Sequence, residues 1–309
     1  MSGMPEGVVV RVDSRVVLVD ASGRLVRCVR RGRLFEAKRT GEKTPVVVGD
    51  VVRITLPEDG SLEGAIEAVS PRRSRLSRPS AHRSGVEQVM AANIDQVVLV
   101  VAVRSPEPKT GFVDRVAIST SSSGVPLVLA VNKVDLVGAD AALAAFADYE
   151  ELGIPVVRTS AAKGIGLEAL RERLRGKTTV FCGPSGVGKS SLLNAIHPTL
   201  LQRIAMVSEA TGKGRHTTTA AVLVEVPDLG RVIDTPGIRE FGLWDVSSRD
   251  LSEAFSEFAG LTPPCRFRDC RHVSEPACAV KAAVESGAIK RVRYDSYRRI
   301  LESLEAGKG

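Results

Sequence analysis

The run Gly183, Pro184, Ser185, Gly186, Val187, Gly188, Lys189, Ser190 satisfies G-x-x-x-x-G-K-[ST]. It follows the apolar stretch TTVFC at 178–182 and opens the helical text SLLNAI at 191–196. This is the context a phosphate-binding loop requires. Its glycines let successive backbone N–H groups converge on phosphate oxygens, Lys189 reaches the β and γ oxygens, and the Ser190 hydroxyl ligates magnesium. Ser191, next in line, joins the candidate nucleotide contacts.

Asn132, Lys133, Val134 and Asp135 follow the strand text PLVLAV, at the end of a parallel strand where ligands of such sheets bind. A carboxylate there can accept both the ring N–H and the exocyclic amine of guanine. Adenine has no matching pair of donors, so the expected base is guanine. Ser160 and Ala161, in the run TSAAK after the next strand, are placed to surround the guanine oxygen.

Asp234-Thr235-Pro236-Gly237 ends the strand text RVID. Asp234 is the candidate for the magnesium shell, and the Gly237 N–H for the γ-phosphate. Upstream, GKGRHTTT at 212–219 resembles a loop that orders around magnesium through a threonine hydroxyl. Spacing does not choose among Thr217, Thr218 and Thr219. Thr218 is the candidate magnesium ligand, and Thr218 and Thr219 are candidate nucleotide contacts. The order of these motifs is inverted relative to ordinary small GTPases, because the base reader precedes the phosphate reader. The domain therefore reads as circularly permuted, with the chain leaving it just after the γ-phosphate sensor.

A glutamine after D-x-x-G orients the attacking water in Ras-like enzymes. Here Ile238 stands in that place and cannot. His216 is the candidate to position water instead, Arg215 to neutralise charge in the transition state, and Lys189 to act on the phosphates. A slow intrinsic rate stimulated by a partner follows naturally.

Cys265, Cys270, His272 and Cys278 give C-x4-C-x-H-x5-C. Four such donors suit one closed, tetrahedral structural zinc, with unliganded cysteines as the alternative. Cys28 and Cys182 fall in strand text and read as small core residues.

These motifs need elements to hold them. At 309 residues the chain is long enough for two or three domains, and 43% hydrophobic with 26% charged residues excludes a disordered or collagenous chain. The longest apolar run, 97–103, is too short to span a bilayer, and the N-terminus lacks signal-peptide text. A soluble, cytoplasmic, monomeric protein without a membrane partner is expected. Net charge is +7, with basic residues in surplus in 1–83 and 265–309 and acidic ones in surplus between, which suits two polyanion-binding arms around a catalytic core.

From 7 to 69, short β-branched runs broken by turn residues predict a small barrel, OB-type or SH3-like. The arginine-rich text 70–84 reads as a linker. Thus 1–83 is assigned to the barrel and basic linker. In 84–245, strand and helix alternate, with helices near 112–122, 139–152, 166–174 and 189–196, then a polar stretch to 219; this predicts a parallel α/β sheet buried on both faces. Residues 246–309 read as a helical zinc-binding domain. In its last helix, 288–304, Ile289, Val292, Tyr297, Ile300, Leu301 and Leu304 share the apolar side, and Lys290, Arg291, Arg293, Arg298 and Arg299 form a candidate rRNA face.

Taken in order, RLSRP at 75–79, AANIDQ at 91–96, NKVD, GPSGVGKSSLLN, GRHTTT, DTPGIREFGL and the cysteine cluster closely resemble the RsgA (YjeQ) family of circularly permuted, ribosome small-subunit-dependent GTPases. The resemblance covers nearly the whole chain. It implies a GTPase that binds the small (30S) ribosomal subunit and its 16S rRNA late in maturation and hydrolyses GTP to GDP when subunit-bound. It also implies one zinc ion on the cysteine cluster and magnesium with GTP, and strengthens His216 as a catalytic candidate. Two rivals stand beside it: a GTP-switched RNA-binding assembly factor with little hydrolysis, and a guanylate kinase, whose phosphate-loop text is similar.

Overall fold

The computed structural model describes residues 5–13, 16–30, 46–56, 63–79, 86–136, 138–210, 221–235, 243 and 246–306. The N-terminal strands are β1 (Glu6–Val12), β2 (Val17–Ala21), β3 (Arg24–Arg30), β4 (Val51–Thr55) and β5 (Glu63–Val69). Alternate Val and Ile side chains point inward, and Val9, Val17, Val19, Ile54 and Ile66 are fully buried. β1 pairs antiparallel with both β2 and β4, while β3 runs parallel to β5. The order β1-β2-β3-β5-β4 thus closes on itself, which decides for the OB-type barrel.

The barrel is not a separate bead. Arg11 on β1 pairs antiparallel with Val222, so the barrel ladder continues into the second sheet. Nor is 70–79 a free linker. Strand β6 (Arg75–Pro79) pairs with β7 (Glu87–Ala92), and Leu76 is fully buried. The arginines that suggested a solvated segment have internal partners. Arg72 forms two hydrogen bonds, 2.7 and 2.9 Å, with the fully buried Asp50, Arg73 bonds Asp95 at 2.7 Å, and Arg75 pairs with Glu87 at 3.0 Å. Charge-rich text looks like linker whether its charges face water or each other, and only the fold tells the two apart. Residues 80–84 of the expected linker lie outside the described residues.

The remaining strands are β8 (Gln96–Ala102), β9 (Leu127–Asn132), β10 (Val156–Arg158), β11 (Lys177–Cys182), β12 (Val222–Val226) and β13 (Gly230–Asp234). Five run parallel in the order β10-β9-β8-β11-β13, and β12 joins antiparallel between β13 and the barrel. Every residue of β8 and β9 is buried, as two-sided helix cover demands. The helices are Thr110–Ser122, Ala139–Glu151, Leu167–Leu174, Lys189–Ile196 and Leu200–Glu209. The last lies inside the stretch expected to be polar. Leu200, Ile204 and Val207, spaced four and three apart, give it one buried face.

The C-terminal helices Ser248–Ala254, Ala279–Glu285 and Arg291–Ala306 share an aromatic core in which Phe255 and Tyr297 meet edge to face, 5.3 Å between centroids. The last helix is turned relative to the expected face. Val292 is 50% exposed, Tyr294 is buried, and Arg293 points inward. The cause is Asp114, a carboxylate only 2% exposed on Thr110–Ser122. It accepts hydrogen bonds from Arg293, from Ser296 and from Tyr149 OH at 2.9 Å, while Arg293 Nε reaches Glu257 at 2.7 Å and its guanidinium lies 4.6 Å from the Phe255 ring centroid. A buried carboxylate needs a cation more than the helix needs Val292 inside. Among the described residues no helix is long and apolar enough to cross a membrane.

Candidate nucleotide site and metal centre

The parallel strands end together, and their loops build one site. Asn132, 1% exposed at the tip of β9, holds three of them at once. Its Nδ2 donates to Val187 O at 2.9 Å, and its Oδ1 accepts from Ala161 N at 3.2 Å and Thr159 Oγ1 at 3.4 Å. Lys133, with φ of 65°, turns its Nζ over the phosphate loop, donating to Gly186 O at 2.7 Å and to Ser105 O. Gly188 sits at φ 87°, and a Cβ there would lie 2.5 Å from Asn132 Nδ2, so glycine is what allows the two loops to touch.

Asp135 is exposed at the mouth and accepts from Ser160 Oγ at 2.5 Å. Ser160 Oγ also accepts from Lys163 N at 3.1 Å, which fixes the hydroxyl that orients the carboxylate. Val134 N–H bonds Thr159 O at 3.2 Å, joining the two base-side loops. Opposite them, Gly183 to Gly188 lead into the helix Lys189–Ile196, with Ser185, Gly186, Ser190 and Ser191 exposed, Pro184 half-buried and Val187 buried. Lys189 Nζ donates to the Asp234 carboxylate and to Thr235 O at 3.2 Å. Thr235 is anchored by its hydroxyl to Phe181 O at 2.7 Å.

The structure therefore brings together Asn132, Lys133, Val134, Asp135, Ser160, Ala161, the phosphate loop, Lys189 and Asp234. Arg215, His216, Thr218, Thr219 and Gly237 lie outside the described residues. Sequence reasoning missed Ser105, whose backbone carbonyl holds Lys133, and no side-chain signal could have found it. Cys28 and Cys182 are buried core residues as expected, and burial pushes their thiols up to about 11 and about 12.

The second cluster lies in the C-terminal unit. The donor atoms of Cys265, Cys270, His272 and Cys278 all fall within 4.8 Å of one another. Cys265 and Cys278 Sγ are 3.9 Å apart, and His272 Nδ1 is 3.6 and 3.4 Å from them. Zinc bonds of about 2.3 Å to sulfur and about 2.0 Å to nitrogen at tetrahedral angles give edges of about 3.8 and about 3.5 Å. The four donors therefore fit a metal ion such as zinc, with no open position. Ser252 Oγ lies 3.0 Å from His272 Nε2, the ring nitrogen that faces away from the cluster, which is how an outer group orients a ligand histidine. Burial opposes ionisation of Cys265, but the N–H groups of Ala279 and Val280 and the neighbouring thiols outweigh it and hold that thiol below its usual range. Burial, reinforced by the other thiols, pushes Cys270 up to about 12.

Comparison with known proteins agrees with this geometry. Residues 69–244 match the family model described as RsgA GTPase. The chain is 40% identical over 307 residues to "Small ribosomal subunit biogenesis GTPase RsgA 1" of Vibrio vulnificus, covering 97% of this chain and 84% of that one. It is 41% identical over 274 residues to "Small ribosomal subunit biogenesis GTPase RsgA" of Gemmatimonas aurantiaca, covering 89% of each. The crystal structure of YjeQ from Thermotoga maritima superposes with a TM-score of 0.74 at 37% identity, over 97% of this chain and 98% of that one. The chain belongs to the RsgA GTPase family. The structure of YloQ, a circularly permuted GTPase, superposes at 0.70 and 30% identity over 99% and 96%. The inverted motif order is thus a property of the family's fold. Membership also sets aside the guanylate-kinase alternative: the enzyme class of this family is GTP hydrolysis.

Proposed function

We propose that this RsgA-family GTPase binds the small (30S) ribosomal subunit through its 16S rRNA, acts late in that subunit's maturation, and hydrolyses GTP to GDP and phosphate with stimulation by the subunit. The observation that carries the nucleotide half is Asn132, which ties the base loop, the Ser160–Ala161 loop and the phosphate loop into one cradle. The ribosomal half is supported by the relatives' names and by basic surpluses at both ends of the chain.

In this reading Asp135 accepts the two guanine donors and Ser160 orients it. The N–H groups of 183–190 and Lys189 hold the phosphates. Magnesium, held by Ser190, Thr218 and Asp234, would neutralise charge on the β and γ oxygens, and Lys189 would pass from Asp234 to phosphate. His216 positions water, Arg215 stabilises developing charge, and Gly237 reports the γ-phosphate. Zinc on Cys265, Cys270, His272 and Cys278 would supply a structural cross-link and no chemistry. The working units are 1–83, 84–245 and 246–309, in a monomeric, cytoplasmic protein.

The test is multiple-turnover GTP hydrolysis with purified small subunits, large subunits or neither. Specific stimulation by small subunits is expected, and His216→Ala should abolish it while leaving GDP affinity unchanged. Ile238, where Ras-like enzymes carry glutamine, favours one alternative: a nucleotide-switched binder with little turnover. That reading prevails if GTP binds but neither subunit stimulates hydrolysis.

A further inference from the structure

The last helix was expected to present a basic face to RNA, yet Arg293 is buried against Asp114 and Glu257. Lys290, Arg291 and Arg298 are held in exposed ion pairs with Asp148, Asp295 and Glu302, leaving only Arg299 of the five without an ion pair among the described residues. The loop that carries the cysteines is different. Arg266, Phe267 and Arg268 are exposed in sequence, and neither arginine has an ion-pair partner among the described residues.

Phe267 is 40% exposed, although phenylalanine is a residue that folding normally hides. The Arg266 guanidinium lies over its ring, 5.5 Å from the centroid. The backbone beneath is fixed: Cys270 N–H donates to Phe267 O and Arg266 N–H to Ala277 O, both at 3.4 Å, and Cys265 and Cys270 anchor the segment from either side. An exposed aromatic ring on a hydrogen-bonded stretch of backbone, with the Arg266 guanidinium over it and the exposed Arg268 next in sequence, has less entropy to lose on binding than one on a free chain. Its chemistry matches a polyanion that also carries flat π-faces. Unpaired nucleic-acid bases stack on such rings while arginines take the flanking phosphates.

We propose that the Arg266–Phe267–Arg268 edge of the cysteine loop is a stacking site for an unpaired base of an RNA single strand. The inference rests on the ribosomal reading above and deepens it, moving the C-terminal RNA contact from the last helix to this loop.

The test uses the full-length, metal-loaded protein and purified small subunits, with a non-hydrolysable GTP analogue, and measures affinity as a function of salt. Phe267→Leu keeps apolar bulk but removes the π-face and should weaken binding roughly tenfold, whereas Phe267→Trp should bind at least as tightly as the parent. The double variant Arg266→Ala, Arg268→Ala should lower the slope of log affinity against log salt by about 1.4, at about 0.7 per single-strand phosphate contact. Metal content should be unchanged in all three, since none of these side chains is a ligand. Equal binding by parent and Phe267→Leu overturns the stack, as does equal loss by Leu and Trp, which would mean shape-specific packing. A tenfold loss for Leu with an unaltered salt slope overturns the RNA assignment in favour of a ribosomal protein. Failure of the parent itself to bind small subunits overturns the ribosomal reading and, with it, this inference.

Discussion

The nucleotide cradle and the cysteine-bearing unit reach order by opposite routes. The cradle stands on a parallel sheet whose strands β8 and β9 are buried at every position, and its loops are locked by Asn132 and Lys133 through hydrogen bonds to backbone carbonyls of the phosphate loop. Its loops hold one another through the chain's own hydrogen bonds. The cysteine unit has two helices of 7 residues and one of 16, a loop from 259 to 278 without regular structure, and a small aromatic core around Phe255, Tyr294 and Tyr297. It is cross-linked by four donors that could share one metal and by one buried ion-pair network to the GTPase. Two sites in one chain can thus be equally definite in shape and very unequal in what sustains that shape.

The sharpest way to break this contrast is to remove the metal. Structural zinc in small domains carries an apparent binding free energy of about 10 kcal/mol at neutral pH, and that energy is folding energy. Chelation, or Cys270→Ser, should abolish the thermal transition of the C-terminal unit while leaving GDP affinity within about twofold. Calorimetry with and without chelator, beside a fluorescent-GDP titration, reads both. Joint loss of nucleotide binding would mean that the cradle also leans on the metal.

Next in size is the network that joins the two regions. Arg293→Ala would strand Asp114, 2% exposed, without its cation, and breaking such a pair from one side costs about 3–5 kcal/mol. Arg293→Lys should recover only part of this, because one ammonium cannot serve Asp114 and Glu257 in the fixed fork geometry of a guanidinium. Denaturant unfolding measures both. Loss confined to the C-terminal transition would identify Asp114 as a latch; loss across the whole curve would show one cooperative unit.

Asp135→Asn tests the cradle from the ligand side. Replacing the acceptor of two guanine donors should cost about 3 kcal/mol, roughly a hundredfold in GDP affinity, with little effect on stability because Asp135 is exposed. Xanthosine diphosphate should gain, since its carbonyl at the altered position can accept from the new amide. Unchanged guanine preference would remove Asp135 from base recognition.

How far the sequence reaches follows the same division. The phosphate loop, the N-K-x-D tetrad and the cysteine spacing are local patterns, and each of their described residues is found in one of the two clusters. The barrel was readable down to strand count, but the choice between two barrel types required the parallel β3–β5 pairing, which no local pattern contains. The clearest failures share a cause. Val292 and Arg293 exchange their expected sides because of Asp114, and Arg72, Arg73 and Arg75 are tied down by Asp50, Asp95 and Glu87. Each outcome is set by a carboxylate on another element, distant in sequence. Apolar periodicity weighs burial residue by residue, so it has no means of seeing a buried charge that recruits its partner from elsewhere. The same blindness hid Ser252, an unremarkable helical serine until His272 is placed beside it.

The smallest predicted effect distinguishes paired from unpaired cations. Arg298 lies on the exposed side of the last helix, 3.4 Å from Glu302 and four residues before it. Such pairs contribute at most about 0.5 kcal/mol, so Arg298→Ala should barely move the melting temperature. Its effect on small-subunit affinity should also be slight, about twofold, because a guanidinium already partnered by a carboxylate displaces fewer counterions from RNA. Arg268→Ala, removing a cation without a described partner, should lose more and flatten the salt dependence. Binding curves for the two variants at matched salt make the comparison directly. Equal losses would show that net positive charge alone governs attachment and that the internal pairing of the last helix has no bearing on where RNA binds.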